Sequence, residues 1–399
     1  MPKVESRRSK FSQPRQRLPL STGARLRKLF PVCLFVLLVA GNAGAEPEED
    51  HRAWQHGIDV IRIGEKLLVV WGSPGNPPRA NPGGDWQHDV FYAWLKAGAG
   101  EEAALGAPQI LVSRPEAQEP PSIAINAAGT LLMTSEDGEN GINQRAGLWD
   151  SGLRVLRKYP FTIKRGGHSG HVAAMADRFL VAYGEGWVER GGFLDRGTGK
   201  DIYVRIVEND GARRRETKIA AGHRDGWPLV AGSERNWLVV WQRYPEMSLH
   251  SALIAATGKV TRQLQISEHM PVRYAYDVEY LPALASYVVA GSSGQGGFIA
   301  LLSLAGEVEK IQYGLPPMAS ESRILAHCDE AQCIGVYPVR PRGVAVVRLK
   351  PGAIELLKLI DHPYAWDYTG TSGAFVTPDQ VIFVTLSTSG IKLVPINLQ

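Results

Sequence analysis

Short apolar runs separated by Gly, Asn, Asp or Pro recur along the chain from about residue 54 to residue 399. Four clear examples are residues 67–71, 179–183, 237–241 and 287–290, which are rich in Val, Leu, Trp and Tyr. Runs of this length, bounded by turn-forming residues, predict β-strands rather than helices. The pattern therefore indicates an all-β protein.

The strands belong to a repeat that is clearest at four turn glycines. Gly211, Gly258, Gly306 and Gly352 are 47, 48 and 46 residues apart, and each follows one predicted strand and precedes a more polar one. Four strands per period of this length predict a β-propeller, because a four-stranded sheet buries both faces only against its neighbours.

We therefore predict a single seven-bladed β-propeller of four-stranded antiparallel blades over residues 46–399, with six or eight blades as alternatives. The predicted blade boundaries are 54–115, 118–166, 168–222, 224–268, 273–316, 322–361 and 364–399. Blade seven has fewer clear strands than the others, so we expect the residues just after position 45 to supply a closing strand.

Residues 1–45 have the pattern of a secretory signal peptide. Basic residues precede an apolar run at 29–40, and Ala43-Gly44-Ala45 follows it, which predicts cleavage after Ala45. The apolar run is too short to span a bilayer, and no later stretch is apolar enough for a membrane helix. We expect a secreted or periplasmic protein without a membrane partner.

The predicted leader changes the charge of the mature chain. It holds nine Lys/Arg and one acid of the 44 basic and 40 acidic residues, so residues 46–399 carry 35 basic and 39 acidic residues, a net charge of −4. A basic protein would favour nucleic acid as a partner, but here the basic excess lies in the leader. We therefore expect no nucleic-acid partner, and we expect a monomer.

Antiparallel blades sort their loops onto two faces. The loops that enter each blade, and those between its second and third strands, emerge on one side, which we call the first face. Residues expected there include His168, His171, Glu185, Arg224, Asp225, Trp227, Arg243 and Tyr276. Since loops on a rigid scaffold commonly carry function, we predict a site near the channel on this face. The alternative is that these polar residues only solvate a rim.

The two cysteines of the mature chain are expected on the opposite face. Cys328 and Cys333 flank a tight turn at 329–332, and a disulfide is favoured in an oxidising compartment. The alternative is a structural zinc site formed by His327, Cys328 and Cys333, with His362 as a further ligand. Either role would be structural, and we assign no metal to the predicted functional site.

Two local motifs on the first face suggest chemistry. The glycine-rich segment 166–171 carries His168 and His171, three residues apart, as a proton-transfer pair or a metal half-site. The second motif combines Arg243, whose planar fork suits a carboxylate or sulfate, with Trp227 and Trp187 as platforms for sugar rings. An arginine, histidines and aromatic residues on one rim favour an acidic polysaccharide as the partner.

The chain resembles the ulvan lyases in five segments: residues 119–124, 143–150, 166–173, 224–233 and 241–243. These polysaccharide lyases have a seven-bladed propeller and cleave beside a uronic acid by β-elimination, with histidine and tyrosine for proton transfer and arginine to neutralise the carboxylate. The resemblance implies that His171 is a catalytic histidine and that Arg243 binds the carboxylate.

The chain departs from that family at two positions. Trp227 stands where a tyrosine is expected, and Gln144 and Arg145 stand where a histidine is expected. His168, Tyr183 and Tyr276 are then the candidates for the missing acid or base. We count His171, His168, Arg243 and Tyr276 as catalytic candidates and Gln144, Arg224, Asp225 and Trp227 as substrate-binding candidates.

The predicted function is a secreted lyase for a uronic-acid-containing polysaccharide, with or without sulfate. The alternatives are a non-catalytic propeller that binds glycan or protein through the same face, and a hydrolase or metal-dependent enzyme. As a general base with an ordinary pKa, His171 predicts a rate that rises through about pH 6 to 7. We expect His171 and Arg243 on exposed loops.

Overall fold

The apolar runs form antiparallel β-strands in the computed structural model, which describes residues 56–74, 88–98, 102–138, 142–186, 200–366, 370–387 and 390–399. These residues all belong to one unit, Glu49–Gln399. The predicted signal peptide, the predicted closing strand after it, and Trp187 lie outside the described residues.

The first three blades use consecutive strands of the chain. Blade one contains β1 (His56–Ile63), β2 (Lys66–Ser73), β3 (Asp89–Lys96), β4 (Ala104–Leu105) and β5 (Gln109–Val112). Blade two contains β6 (Ser122–Ile125), β7 (Thr130–Asp137), β8 (Asn143–Asp150) and β9 (Val155–Arg165). Blade three contains β10 (Gly167–Met175), β11 (Arg178–Glu185), β12 (Asp201–Glu208) and β13 (Thr217–Ala220).

The remaining blades continue in the same way. Blade four contains β14 (Arg224–Gly232), β15 (Asn236–Tyr244), β16 (Ser248–Ala255) and β17 (Val260–Ser267). Blade five contains β18 (Tyr276–Leu281), a 3-10 helix (Pro282–Leu284), β19 (Ser286–Ser293), β20 (Gly296–Ser303) and β21 (Val308–Leu315). Blade six contains β22 (Leu325–Cys328), β23 (Cys333–Pro338), β24 (Arg342–Lys350) and β25 (Ala353–Ala365), and blade seven contains β26 (Thr371–Thr377), β27 (Gln380–Ser387) and β28 (Gly390–Asn397).

The first strands of the blades surround a central channel. In blades two to six the four strands pair in chain order, as in β10-β11-β12-β13. Residues at or just before the first strand of all seven blades line a channel cavity of about 370 Å³. Seven sheets around one channel confirm the predicted seven-bladed β-propeller.

Apolar contacts between neighbouring blades hold the ring together. Within the described residues there are seven buried apolar clusters, each shared by two adjacent blades. Between blades three and four, for example, Leu180 and Val204 pack with Trp237 and Val239. Full burial of one such side chain contributes about 1.5–3 kcal/mol, so these seams stabilise the ring.

The ring closes between blades one and seven. Leu67 and Val69 of β2 share an apolar cluster with Ile382 and Val384 of β27. Across the same seam, the Nη2 of Arg62 donates to the carbonyl of Phe375 at 2.5 Å. The described part of blade seven has three strands, and the predicted fourth strand falls on residues that are not described.

The cysteines form the disulfide that the sequence favoured. Cys328 and Cys333 are directly opposite in the β22–β23 pair and are bonded to each other. The zinc alternative required both thiolates, which the disulfide consumes. His327 instead packs with its ring centroid 5.5 Å from that of Phe375.

Within the described ranges, no helix has the length and hydrophobicity needed to cross a membrane.

Candidate functional site

A small cavity lies at the end of the channel on the first face; we call it the channel-mouth cavity. Seven blades contribute to it through the residues that enter them, which include Gly57, Pro120, His171, Trp227, Tyr276, Glu321, Arg323 and Gly370. Its volume is about 30 Å³. A cavity of this size holds one or two water molecules, so a sugar ring needs the mouth to open.

His171 lies on strand β10 and not on an exposed loop. The strand has a bulge between His168 and His171, where Ser169 adopts a left-handed φ of 51°. The Nδ1 of His171 lies 3.2 Å from the carbonyl oxygen of Ser169, and its ring meets Trp227 edge-on with centroids 5.2 Å apart. The bulge therefore aims the imidazole at the channel mouth.

Burial sets the protonation state of His171. It lowers the pKa of this imidazole to about 3, and the positive charge of Arg323 adds to the effect. With this pKa, His171 is already unprotonated at pH 6 to 7, so its titration gives no reason to expect a rise in rate over that range. The imidazole of His171 is therefore uncharged and can accept a proton, but its lowered pKa makes it a weak base.

The support of the bulge comes from blade two. The backbone N–H of Ser169 donates to Oε1 of Glu136 at 2.5 Å. The amide of Gln144 accepts from the N–H of Gly170 at 3.0 Å and donates to Oγ1 of Thr134 at 2.6 Å. A Cβ at Gly170 would lie 2.2 Å from Cδ of Gln144, so only glycine fits there. Gln144, a substrate-binding candidate, is a fully buried support of β10.

His168 does not share the cavity with His171. Its Nδ1 lies 3.2 Å from the hydroxyl of Ser169, and its ring covers Gly184, where a Cβ would lie 2.8 Å from the imidazole Cε1. Burial lowers the pKa of His168 to about 4. The structure thus brings one of the two predicted histidines to the channel mouth and packs the other into blade three.

Trp227 is a wall of the cavity rather than an open platform. Its side chain is 8% exposed, and its φ of 55° turns the ring inward from β14. The ring lies 4.7 Å from Tyr274 and 6.1 Å from His56, measured between centroids. Trp227 therefore does not offer the open platform for a sugar ring that the sequence predicts, because its ring is enclosed in the cavity wall.

Tyr276 ties blade five to blade four. Its hydroxyl donates to the carbonyl of Trp227 at 2.5 Å and accepts from the N–H of Gln242 at 3.1 Å. Burial raises the pKa of Tyr276 well above 10. The hydroxyl is protonated, and its hydrogen already has an acceptor in the protein.

Arg243 lies on the first face at the end of β15, outside the lining of the cavity. Its Nε donates to Oδ1 of Asp225 at 2.8 Å and its Nη2 to Oδ2 at 3.4 Å. Asp225 is fully buried and also accepts from Nε1 of Trp241 at 2.9 Å. Among the described residues Arg243 makes no other hydrogen bond, so its Nη1 end is available to a ligand.

Arg224 is the neighbour of this pair on β14. Its guanidinium lies 5.9 Å from the ring centroid of Tyr244, in cation–π geometry. Arg224 and Asp225 thus lie at the start of β14, three and two residues before Trp227, and do not line the channel-mouth cavity.

The structure adds charged groups that the motifs did not single out. His56 has Nδ1 3.7 Å from Oε2 of Glu119 and Nε2 3.6 Å from Oε2 of Glu321. The Nδ1 of His88 lies 3.2 Å from the same oxygen of Glu119. Glu119 lies in the segment 119–124 that resembles the ulvan lyases, but nothing in the sequence indicates that His56 lies beside it and Glu321.

Arg323 lines the cavity but is held by two carboxylates. Its Nη1 lies 2.9 Å from Oδ1 of Asp277, and its Nη2 lies 3.9 Å from Oδ1 of Asp59. The pKa values of both aspartates are raised, chiefly by burial. The Arg323 charge is therefore balanced within the channel.

Comparisons with known proteins bear on the fold alone. No family model matches the chain, and no curated protein matches it. A chain of a mitotic checkpoint complex has a TM-score of 0.55 at 11% identity, covering 88% of this chain and 89% of that chain. Hydrazine synthase of Kuenenia stuttgartiensis has a TM-score of 0.54 at 9% identity, over 90% and 99%. The WD40 domain of Toxoplasma gondii coronin has a TM-score of 0.51 at 8% identity, over 86% and 84%. These similarities support the β-propeller fold.

Proposed function

We propose that the protein binds a uronic-acid-containing polysaccharide on its first face and cleaves it by β-elimination at the channel mouth. The observation that carries the proposal is the joint position of His171 and Arg243. His171 reaches the cavity beside Trp227, and Arg243 pairs with Asp225, two residues before Trp227 on β14. The proposed base and the proposed carboxylate-binding group therefore contact two residues of the same strand end, Trp227 and Asp225.

The reaction needs three groups. A base removes the hydrogen from the carbon next to the uronate carboxylate, the carbon–oxygen bond at the following carbon breaks, and the departing sugar oxygen takes a proton. The product carries a carbon–carbon double bond in the uronate ring. Neutralising the carboxylate makes the first step feasible because negative charge develops there.

His171 has the charge state that a general base requires. Its lowered pKa, about 3, leaves the imidazole unprotonated at neutral pH. Its low basicity makes carboxylate neutralisation more important, since a weak base needs an acidified carbon. We assign neutralisation to Arg243, whose Nη1 end can meet a carboxylate while the buried Asp225 fixes the Nε edge.

The proton for the departing oxygen is assigned to His56. Its ring lies between Glu119 and Glu321, with nitrogen–oxygen distances of 3.7 and 3.6 Å. His56 also stacks on the indole of Trp227, which His171 contacts edge-on. The two histidines thus contact the same ring, one as the proposed acid and the other as the proposed base. Tyr276 is less suited because its hydroxyl hydrogen is bound by the Trp227 carbonyl.

Binding without cleavage is the second candidate. The observation that favours it is the size of the channel-mouth cavity, about 30 Å³, which admits water but no sugar ring. A propeller that only binds would use Arg243 and the surrounding rim and would keep His171 enclosed.

One experiment separates the two functions. The mature protein is incubated with a panel of uronate-containing polysaccharides, with and without sulfate, and with neutral polysaccharides of similar length. Ultraviolet absorbance follows the unsaturated uronate, and affinity electrophoresis follows binding to the same samples. Absorbance with an acidic polymer supports the lyase, retardation without absorbance supports the binding protein, and neither signal with any acidic polymer refutes both.

A further inference from the structure

A second, wider depression lies on the first face between blades four and five; we call it the rim groove. Its volume is about 550 Å³, and its polar lining residues include Gln265, Glu268, His269, Gln295 and Tyr313. They come from the end of β17, the turn between β19 and β20, and the end of β21. Pockets of about 300–1,000 Å³ are the usual size for small ligands.

The polar side chains that line the rim groove are available to bind a ligand. Within the described structure, no hydrogen bond or ion pair engages the side chains of the five residues named above. By contrast, Tyr276 at the channel mouth and Gln144, which supports β10, use their polar atoms in bonds to the protein. The rim groove therefore presents donors and acceptors to whatever occupies it.

Local bonds fix the walls of the groove. The N–H of Gly294 donates to the carbonyl of His269 at 3.0 Å, which joins the turn of blade five to the end of blade four. Ser293 closes the turn, donating from Oγ to the Gly296 carbonyl at 3.0 Å and accepting from the Gln295 N–H at 3.1 Å. Phe298 backs Tyr313 with ring centroids 5.9 Å apart. A preformed groove loses little conformational entropy when a ligand binds.

The charge of the lining selects the ligand. Glu268 is the one carboxylate among the lining residues, which include no Lys or Arg. A uronate or sulfate would be repelled, whereas the hydroxyls of a neutral sugar can pair with two amides, an imidazole and a carboxylate. Burial, with the charge of Glu268, raises the pKa of Tyr313, so its phenol remains a donor beside a ring face for the sugar.

We propose that the rim groove binds a neutral sugar unit. The identity of the ligand rests on the proposed function: the rim groove is a subsite for the neutral sugars of the same acidic polysaccharide. The loop at residues 268–275 has one end in the groove and leads to Tyr274 and Tyr276 beside the channel mouth. A chain crossing the first face therefore meets an anion-binding position at Arg243 and a neutral one at the rim.

The test uses the mature protein and neutral oligosaccharides alone, namely xylohexaose, mannohexaose, cellohexaose and maltohexaose, with dissociation constants from calorimetry or ligand-observed NMR. Tyr313→Ala removes the aromatic face and should weaken binding of the accepted oligosaccharide at least about tenfold. Tyr313→Phe keeps the face and should weaken it less. The matched control is Gln263→Ala, on β17 two residues before Gln265. The Gln263 amide donates to the Ile219 carbonyl, and the affinity of this variant for the oligosaccharide should stay within about twofold of the wild type.

Equal affinity in Tyr313→Ala and wild type, or no binding of any of the four oligosaccharides, overturns the proposal. The assay contains no uronate, so its result does not depend on cleavage. If the absorbance assay detects no lyase activity but binding still depends on Tyr313, the proposed sugar site in the rim groove is supported and the proposed cleavage is refuted.

Discussion

Asp225 holds Arg243 by one edge of its guanidinium, with Nε 2.8 Å from Oδ1 and Nη2 3.4 Å from Oδ2. The carboxylate is fully buried, whereas the Arg243 side chain is 20% exposed. The pair therefore fixes the arginine through Nε and Nη2 and leaves Nη1 without a hydrogen bond to the described residues. Asp225, predicted as a substrate-binding residue, supports the group that we propose to bind substrate.

Removing this support should destabilise the fold. Asp225→Ala leaves Arg243 and Nε1 of Trp241 without their shared acceptor, and the free energy of unfolding should fall by about 3 kcal/mol. Urea unfolding followed by tryptophan fluorescence measures the change. The control is Asp361→Ala, which breaks a pair with Arg342 whose side chains are 82% and 57% exposed; it should cost less than about 1 kcal/mol. Equal losses in both variants would contradict the structural role of Asp225.

Arg243→Lys should separate binding from stability. Lysine keeps the positive charge but lacks the planar fork with which Arg243 bonds Asp225 along one edge and can meet a uronate at the other. Lyase activity should fall on the order of a hundredfold, with an unfolding free energy lowered by only about 1 kcal/mol. Unchanged activity on a substrate that the wild type cleaves would remove Arg243 from the site.

The two buried histidines make stability depend on pH. Their pKa values in the folded state, about 4 for His168 and about 3 for His171, lie below the ordinary 6.5. The unfolded chain therefore binds more protons, and the stability that each contributes is present above pH 6.5 and lost as the pH falls toward 4 and 3. Between pH 7 and 5, His168→Gln should lose about 2 kcal/mol less stability than the wild type. Parallel pH profiles of the two proteins would contradict the burial of His168.

Much of the fold was predictable because period and turn residues repeat. The first strands of blades two, three and four begin within four residues of the expected boundaries, and the cysteine hairpin follows from its tight turn. The end of blade six was set too early, since β25 continues to Ala365 and pairs it with Arg342. Blade seven is less predictable, because the residues after position 45, where we predict a closing strand, have no clear apolar pattern.

The candidate site was less predictable. Residue type and position predict that His171, Trp227 and Tyr276 share the first face, where all three line the channel-mouth cavity. The sequence does not reveal burial, so it does not predict the lowered His171 pKa or the bonded Tyr276 hydroxyl. The pair of His56 with Glu321 joins blade one to the loop entering blade six. Such a contact depends on closure of the ring, which a local motif cannot encode.

Tyr276→Phe tests whether this tyrosine acts in chemistry or in packing. The change removes the hydrogen bonds to Trp227 and Gln242, and the unfolding free energy should fall by about 1–3 kcal/mol. If His56 is the acid, kcat should stay within a few fold of the wild type. A loss of a hundredfold or more in kcat, with unchanged stability, would instead make Tyr276 the proton donor.

The most direct measurement compares His171→Gln with His168→Gln in the absorbance assay, on an acidic polysaccharide that the wild type cleaves. Both side chains are buried in β10, so circular dichroism and melting temperature control for folding in each. If the channel mouth is the reaction site, His171→Gln should lose at least about a hundredfold in rate, while His168→Gln, which lies away from the cavity, should keep most of it. Equal activity in the two folded variants, or a loss confined to His168→Gln, would contradict the account.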